Sequence, residues 1–158
     1  MRKGLDVLLN ALASLSRRDF QLSIVGKENK VEFYKERAAQ LGLQNKVCFF
    51  GPQPHIRPFY QMADALVIPS FYDPFANVTI EALAMGLFVV SSKTNGGHEI
   101  LTDHNGAIIE NLLDSDAIKA ALERAMLHRK TRGSATRIRQ SAAPFDFSFQ
   151  LQKLIEAL

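Results

Sequence analysis

The chain reads Phe71-Tyr72-Asp73-Pro74-Phe75-Ala76-Asn77-Val78-Thr79-Ile80-Glu81-Ala82-Leu83-Ala84-Met85-Gly86, then Leu87-Phe88-Val89-Val90-Ser91-Ser92-Lys93-Thr94-Asn95-Gly96-Gly97-His98-Glu99-Ile100. One acid, Asp73, opens a loop, and a second, Glu81, follows eight positions later within a helical pattern. Pro74 stiffens the loop and restricts the residue before it to extended conformations. Asn77 or Thr79 is placed to cap a helix expected over about 79–85, whose first backbone N–H groups have no internal partner. Such an end, with the positive pole of the helix dipole, suits a phosphate. Ile80, Leu83 and Ala84 form the apolar side of this helix. Glu81 falls on another side, one turn in, where a carboxylate can accept hydrogen bonds from ligand hydroxyls. Gly86 supplies a permissive C-terminal residue. Singly, these residues read as a capped helix, a solvated Glu and a turn Asp. In this order, between two apolar strands, they favour a ligand site.

Outward from this stretch, helical and strand patterns alternate. Short apolar runs over 21–25, 46–50, 65–68, 88–91 and 106–109 read as strands. Helical spacing is expected over 5–15, 31–41, 56–62, 115–128, 134–143 and 148–157, with a short helical turn near Gly97. Continuously apolar strands separated by helices predict a doubly wound α/β domain, its parallel sheet covered on both faces. Ligands bind such sheets at the carboxyl ends of the strands. The loops there hold Gly26-Lys27-Glu28, Gly51-Pro52-Gln53-Pro54, the acid-bearing segment 70–77 and the glycine turn 93–97. No Gly-x-Gly-x-x-Gly follows a strand and no Gly-x-x-x-x-Gly-Lys-Ser/Thr occurs, so neither a nicotinamide dinucleotide site nor a P-loop is expected.

At 158 residues, 47% hydrophobic and 22% charged, the chain suffices for one well-packed domain and is too apolar for a disordered one. A net charge of +3 fits an anionic ligand or an anionic membrane surface. Lys and Arg are dispersed except over 124–139, where a solvated helix face accounts for them, so no nucleic acid is expected. Cys48 is the one cysteine, which excludes an intrachain disulfide and a Cys-based zinc site. Its apolar surroundings, 47–50, suggest a small core residue. Met1-Arg2-Lys3 and the leucines after it imitate a targeting segment. Asp6, Asn10 and the helical spacing make it an amphipathic helix instead, and no run is long enough to span a membrane.

Residues 2–128 resemble the donor-binding half of retaining glycosyltransferases of family 4 (group 1). The Asp73-to-Glu81 spacing matches that family's Glu, seven residues, Glu pattern, with Asp in place of the first Glu. Arg2-Lys3-Gly4 matches the basic pair before the first helix of the C-terminal domain, in a form most similar to lipopolysaccharide-core glucosyltransferases. Val25-Gly26, Lys46 to Gly51 and Ala63 to Ser70 match the stretches between, and Asn95-Gly96-Gly97-His98-Glu99 matches the family's Gly-Gly-x-x-Glu turn. The resemblance implies a Rossmann-like doubly wound sheet, the C-terminal half of a GT-B enzyme. It would occupy residues 1–143, with 144–158 a helix packing toward an N-terminal domain that lies outside this sequence.

The resemblance also implies roles. Arg2 and Lys3 contact the diphosphate of a nucleotide sugar, and Asp73 lies near the donor sugar's hydroxyls; these three are the catalytic candidates. Gly26, Ala76, Asn77 and Val78 complete the donor site, and Glu81 holds the ribose. Asp is one carbon shorter than Glu, which implies an altered first-acid contact, a different sugar or a shifted loop. His98 reads as a loop residue, Glu99 as a first-turn acid, and Asp64 as a structural turn residue. The implied activity is retaining transfer of a hexose from a nucleoside-diphosphate sugar to a glycolipid or glycan. No metal and no cofactor beyond the donor substrate is expected. The location implied is cytoplasmic, peripheral to the inner face of a membrane. A non-catalytic nucleotide or nucleotide-sugar binding module and a nucleotide-sugar epimerase of the same fold are the alternatives.

Overall fold

Leucines at positions 5, 8, 9 and 12 give the first helix its apolar stripe, and the computed structural model, which describes residues 3–145, buries Leu8, Leu9 and Leu12 beneath α1 (Leu5–Ala13). Arg2, the helix expected over 148–157 and nearly all of segment 144–158 lie outside the described residues. The elements then alternate as β1 (Leu22–Val25), α2 (Val31–Gln40), β2 (Val47–Gly51), α3 (Arg57–Met62), β3 (Ala65–Ile68), α4 (Val78–Ala84), β4 (Phe88–Ser92), β5 (Gly106–Ile109), α5 (Ser115–Leu127) and α6 (Arg132–Ala142). A turn of tighter helix over Gly96–Ile100 connects β4 to β5.

Among the described residues all strand pairing is parallel, as the continuous apolar runs predict. β4 lies between β3 and β5, with Ala65 opposite Phe88 and Val89 opposite Gly106. It packs on both α4 and α5, and all five of its residues are buried. Each fully buried side chain of this size contributes about 1.5–3 kcal/mol of apolar transfer energy, so this strand and its flanking helices hold the core.

The ladder is not continuous. β1 and β2 pair only with each other, Leu22 opposite Val47, and no backbone bonds join β1 to β3 among the described residues. α1 packs against both α2 and α5. The β1–β2 pair is also less covered, and this corrects the expectation for Cys48. Along β2 Val47 is buried while Cys48 and Phe50 are exposed, because successive side chains point to opposite faces and one face lacks cover. Cys48 is a surface thiol.

Helix ends follow their local chemistry. Asp114 caps α5 by accepting the N–H of Asp116 at 2.8 Å. α6 begins at Arg132, two residues before the expected start, because Thr131 and Ser134 cap its first turn reciprocally. α4 ends as Gly86 predicts. Gly86 adopts φ 75°, its N–H reaches the Leu83 carbonyl at 2.9 Å, and the Leu87 N–H reaches Ala82 at 2.9 Å, which closes the helix and turns the chain into β4. Among the described residues no helix is long and apolar enough to cross a membrane.

Candidate functional site

The chain enters beside the carboxyl end of β3. Gly4 lies so close to Pro69 that a Cβ there would sit 1.9 Å from the Pro69 carbonyl oxygen, so only glycine fits. This approach places Lys3 next to the loop after β3. Lys3 Nζ donates to Asp73 Oδ2 at 3.1 Å, with the ammonium 66% exposed and the carboxylate 13% exposed. An ion pair so open to water contributes at most about 1 kcal/mol to stability. Its significance is positional: two predicted site residues, seventy apart in sequence, meet.

The acid-bearing loop is tied along its length to the turn after β4. The Asp73 N–H donates to the Thr94 carbonyl at 3.2 Å, and the Asp73 carbonyl accepts the Gly96 N–H at 2.9 Å. Ser92 Oγ and Thr94 Oγ1 both donate to the Ser70 carbonyl, at 2.5 and 2.7 Å. At the centre is Asn95, wholly buried. Its Oδ1 accepts the N–H groups of Ala76 (3.1 Å) and Gly97 (3.2 Å), while its Nδ2 donates to Ser91 Oγ (2.8 Å). Gly96 is the point of closest approach, where an added Cβ would fall 1.9 Å from the Pro74 carbonyl oxygen. His98 contacts the Asn95 carbonyl through Nδ1 at 2.9 Å and lies within the tight helical turn over Gly96–Ile100.

The start of α4 differs from expectation. Neither Asn77 nor Thr79 caps it: Asn77 is already helical, with φ −53° and ψ −30°, and makes no side-chain cap bond. Thr79 is buried against Gly97, and its hydroxyl has no partner among the described residues. The segment is held instead by Asn95, whose Oδ1 accepts the Ala76 N–H, and by the local Ala76 carbonyl, which accepts the Thr79 N–H at 2.8 Å. The backbone N–H groups of Asn77 and Val78 find no acceptor among the described residues, and both residues are exposed. They remain free to donate to a ligand.

The other predicted residues divide. The Ala76 N–H is taken by Asn95, so Ala76 offers a ligand no free donor. Gly26 stands at the end of β1 in the separate ladder, its N–H bonded to the Gly51 carbonyl at 2.9 Å. Glu81 is exposed on α4, and its Oε2 accepts the Tyr60 hydroxyl at 2.9 Å. Burial first, and then the Glu81 carboxylate, push the Tyr60 phenol above its ordinary value, so it stays protonated and donates. Asp64 accepts the Lys130 N–H at 2.8 Å, which matches its reading as a structural turn residue.

Sequence reasoning missed Asn95 as the organiser of the loop and Tyr60 as the partner of Glu81. Their partners lie on other elements, 19 and 21 positions away. Among the described residues no three His, Cys, Asp or Glu side chains converge as a metal-holding group. A cavity of about 270 Å³ lies elsewhere, lined by His104, His128, Ser134 and Arg137, and contains none of the predicted residues. It sits toward the opposite strand ends, where His128 stacks on Phe88 at 4.2 Å.

The family described as "Glycosyl transferases group 1" matches residues 1–142. An uncharacterized glycosyltransferase of Methanocaldococcus jannaschii, MJ1607, is 32% identical over 128 residues, which cover 79% of this chain and 33% of that one. The lipopolysaccharide core biosynthesis glycosyltransferase LpsE of Rhizobium meliloti is 28% identical over 131 residues, covering 83% and 38%. Among solved structures, Anabaena HepE in complex with UDP and glucose superimposes with a TM-score of 0.75 at 25% identity, over 99% of this chain and 45% of that one. The chain thus spans about a third of the length of these curated relatives.

Proposed function

Because the chain belongs to the group 1 glycosyl transferases and has the Rossmann-like fold of a GT-B half, we propose that it is the donor-binding part of a retaining hexosyltransferase using a nucleoside-diphosphate sugar. The observation that carries this reading is the convergence of Lys3 on Asp73 beside the open N–H groups of Asn77 and Val78. In this reading Lys3, with Arg2, and the two N–H groups take the diphosphate and stabilise the charge that grows on it as the sugar departs. Asp73 then orients the donor sugar through its hydroxyls, and Glu81 accepts from the ribose. The acceptor, a glycan or glycolipid, binds through the part of the protein corresponding to the remaining length of its relatives. That HepE was solved with UDP and glucose, and that LpsE is a lipopolysaccharide core enzyme, support the donor class and a glycolipid acceptor.

Calorimetric titration with UDP, GDP and ADP tests the reading directly. One of the three is expected to bind the 158-residue chain, weakly, with no glycosyl transfer unless the rest of the protein is supplied. Glu81→Gln is expected to remove about 1.5–3 kcal/mol from binding of that ribonucleotide, because a charged acceptor makes the stronger hydrogen bonds to hydroxyls. Its 2′,3′-dideoxy analogue should be almost unaffected. Equal losses for both ligands would return Glu81 to an ordinary solvated helix residue.

A further inference from the structure

Glu81 projects from a seven-residue helix and is exposed, so an unrestrained carboxylate there would sample several rotamers. Ordering a long, rotamer-rich side chain such as glutamate on binding opposes affinity. The structure shows a restraint. Tyr60, on α3, is only 6% exposed, and its hydroxyl donates to Glu81 Oε2 at 2.9 Å. α3 is itself fixed from the far side: Lys130 Nζ donates to the Tyr60 carbonyl at 2.7 Å, and the Lys130 N–H donates to Asp64 just beyond the helix. The phenol is therefore a donor set in place by packing before any ligand arrives. Glu81 Oε1 makes no hydrogen bond among the described residues.

We propose that Tyr60 is a positioning residue for the donor site: its hydroxyl clamps one carboxylate oxygen of Glu81 so that the other is presented, pre-oriented, to a vicinal diol such as the ribose 2′- and 3′-hydroxyls. The proposal rests on the reading of Glu81 given above. It adds that the selectivity for a ribose diol is set from α3, an element outside the acid-bearing segment. Pre-orientation strengthens binding by reducing what must be ordered when the ligand arrives. The competing account is that a buried tyrosine hydroxyl simply needs an acceptor and Glu81 is the nearest one. The two accounts differ in which ligand loses affinity when the hydroxyl is removed.

The test is Tyr60→Phe, which keeps the buried ring, with a urea midpoint to verify folding. The probes are whichever of UDP, GDP and ADP binds in the titration, and its 2′,3′-dideoxy form. The ratio of the two affinities is expected to fall three- to tenfold in Tyr60→Phe, with dideoxynucleotide affinity within twofold of the parent. In a Glu81→Gln background, Tyr60→Phe should change the ratio no further. A ratio preserved in Tyr60→Phe, or an equal loss for both ligands, overturns the proposal while leaving the site reading in place, provided Glu81→Gln alone lowers the ratio. If Glu81→Gln leaves the ratio intact, or if none of the three nucleotides binds, the reading of the site falls and the proposal falls with it.

Discussion

Asn95→Ala is expected to destabilise the protein by about 2–4 kcal/mol and to remove nucleotide binding. The Asn95 side chain is wholly buried and serves two backbone donors and one hydroxyl, on three separate segments. Its loss strands the N–H groups of Ala76 and Gly97 away from water, and each buried donor left unpaired costs about 1–3 kcal/mol. Partial relaxation keeps the total below the sum. The loop bearing Asp73 keeps its backbone ties to Thr94 and Gly96 but loses the one at the start of α4, so Asn77 and Val78 are no longer held in register with Asp73. Urea unfolding measures the first effect and titration the second. A stability loss under about 1 kcal/mol would show that the loop does not depend on this residue.

Gly96→Ala separates the site from the fold. A Cβ on Gly96 would lie 1.9 Å from the Pro74 carbonyl oxygen and 3.0 Å from its carbon, both backbone atoms that cannot rotate away. The acid-bearing loop must move by about an ångström or more, and well-oriented groups lose much of their effect under such displacements. Nucleotide affinity is expected to fall at least tenfold. Gly133→Ala is the matched control. A Cβ there meets nothing within 4 Å, and the residue lies in α6, where alanine gains up to about 1 kcal/mol over glycine. Nucleotide affinity of Gly96→Ala within twofold of the Gly133→Ala control would place the ligand elsewhere.

The course of the chain was largely readable from sequence, because its short apolar runs are bounded by strong local signals. β3 and β5 fall on the expected residues, and Gly86 ends α4 as its backbone freedom predicts. What failed was what tertiary packing decides. Cys48 sits in an apolar run yet faces solvent, because cover on β2 depends on which helices reach it. Neither Asn77 nor Thr79 supplies the expected cap on α4, because Asn77 is itself helical and Thr79 is buried against Gly97, while an asparagine from another loop holds the preceding Ala76. Spacing alone singled out Asp73 and Glu81. It held no trace of Lys3 lying on Asp73 or Tyr60 on Glu81, because those pairings exist only once α1 and α3 have docked.

The break between the two ladders bears on how the site can respond to a ligand. Gly26 and Gly51 close one ladder, and the loops carrying Asp73 and Asn95 close the other. Backbone hydrogen bonds resist sliding, whereas packed helix surfaces tolerate small shear displacements. Among the described residues no shared run of strand pairing joins the two groups of loops, and α1 packs against both α2 and α5. A relative displacement of the Gly26 and Gly51 loops against those of Asp73 and Asn95 would therefore break no ladder hydrogen bond, since none joins the two ladders among the described residues.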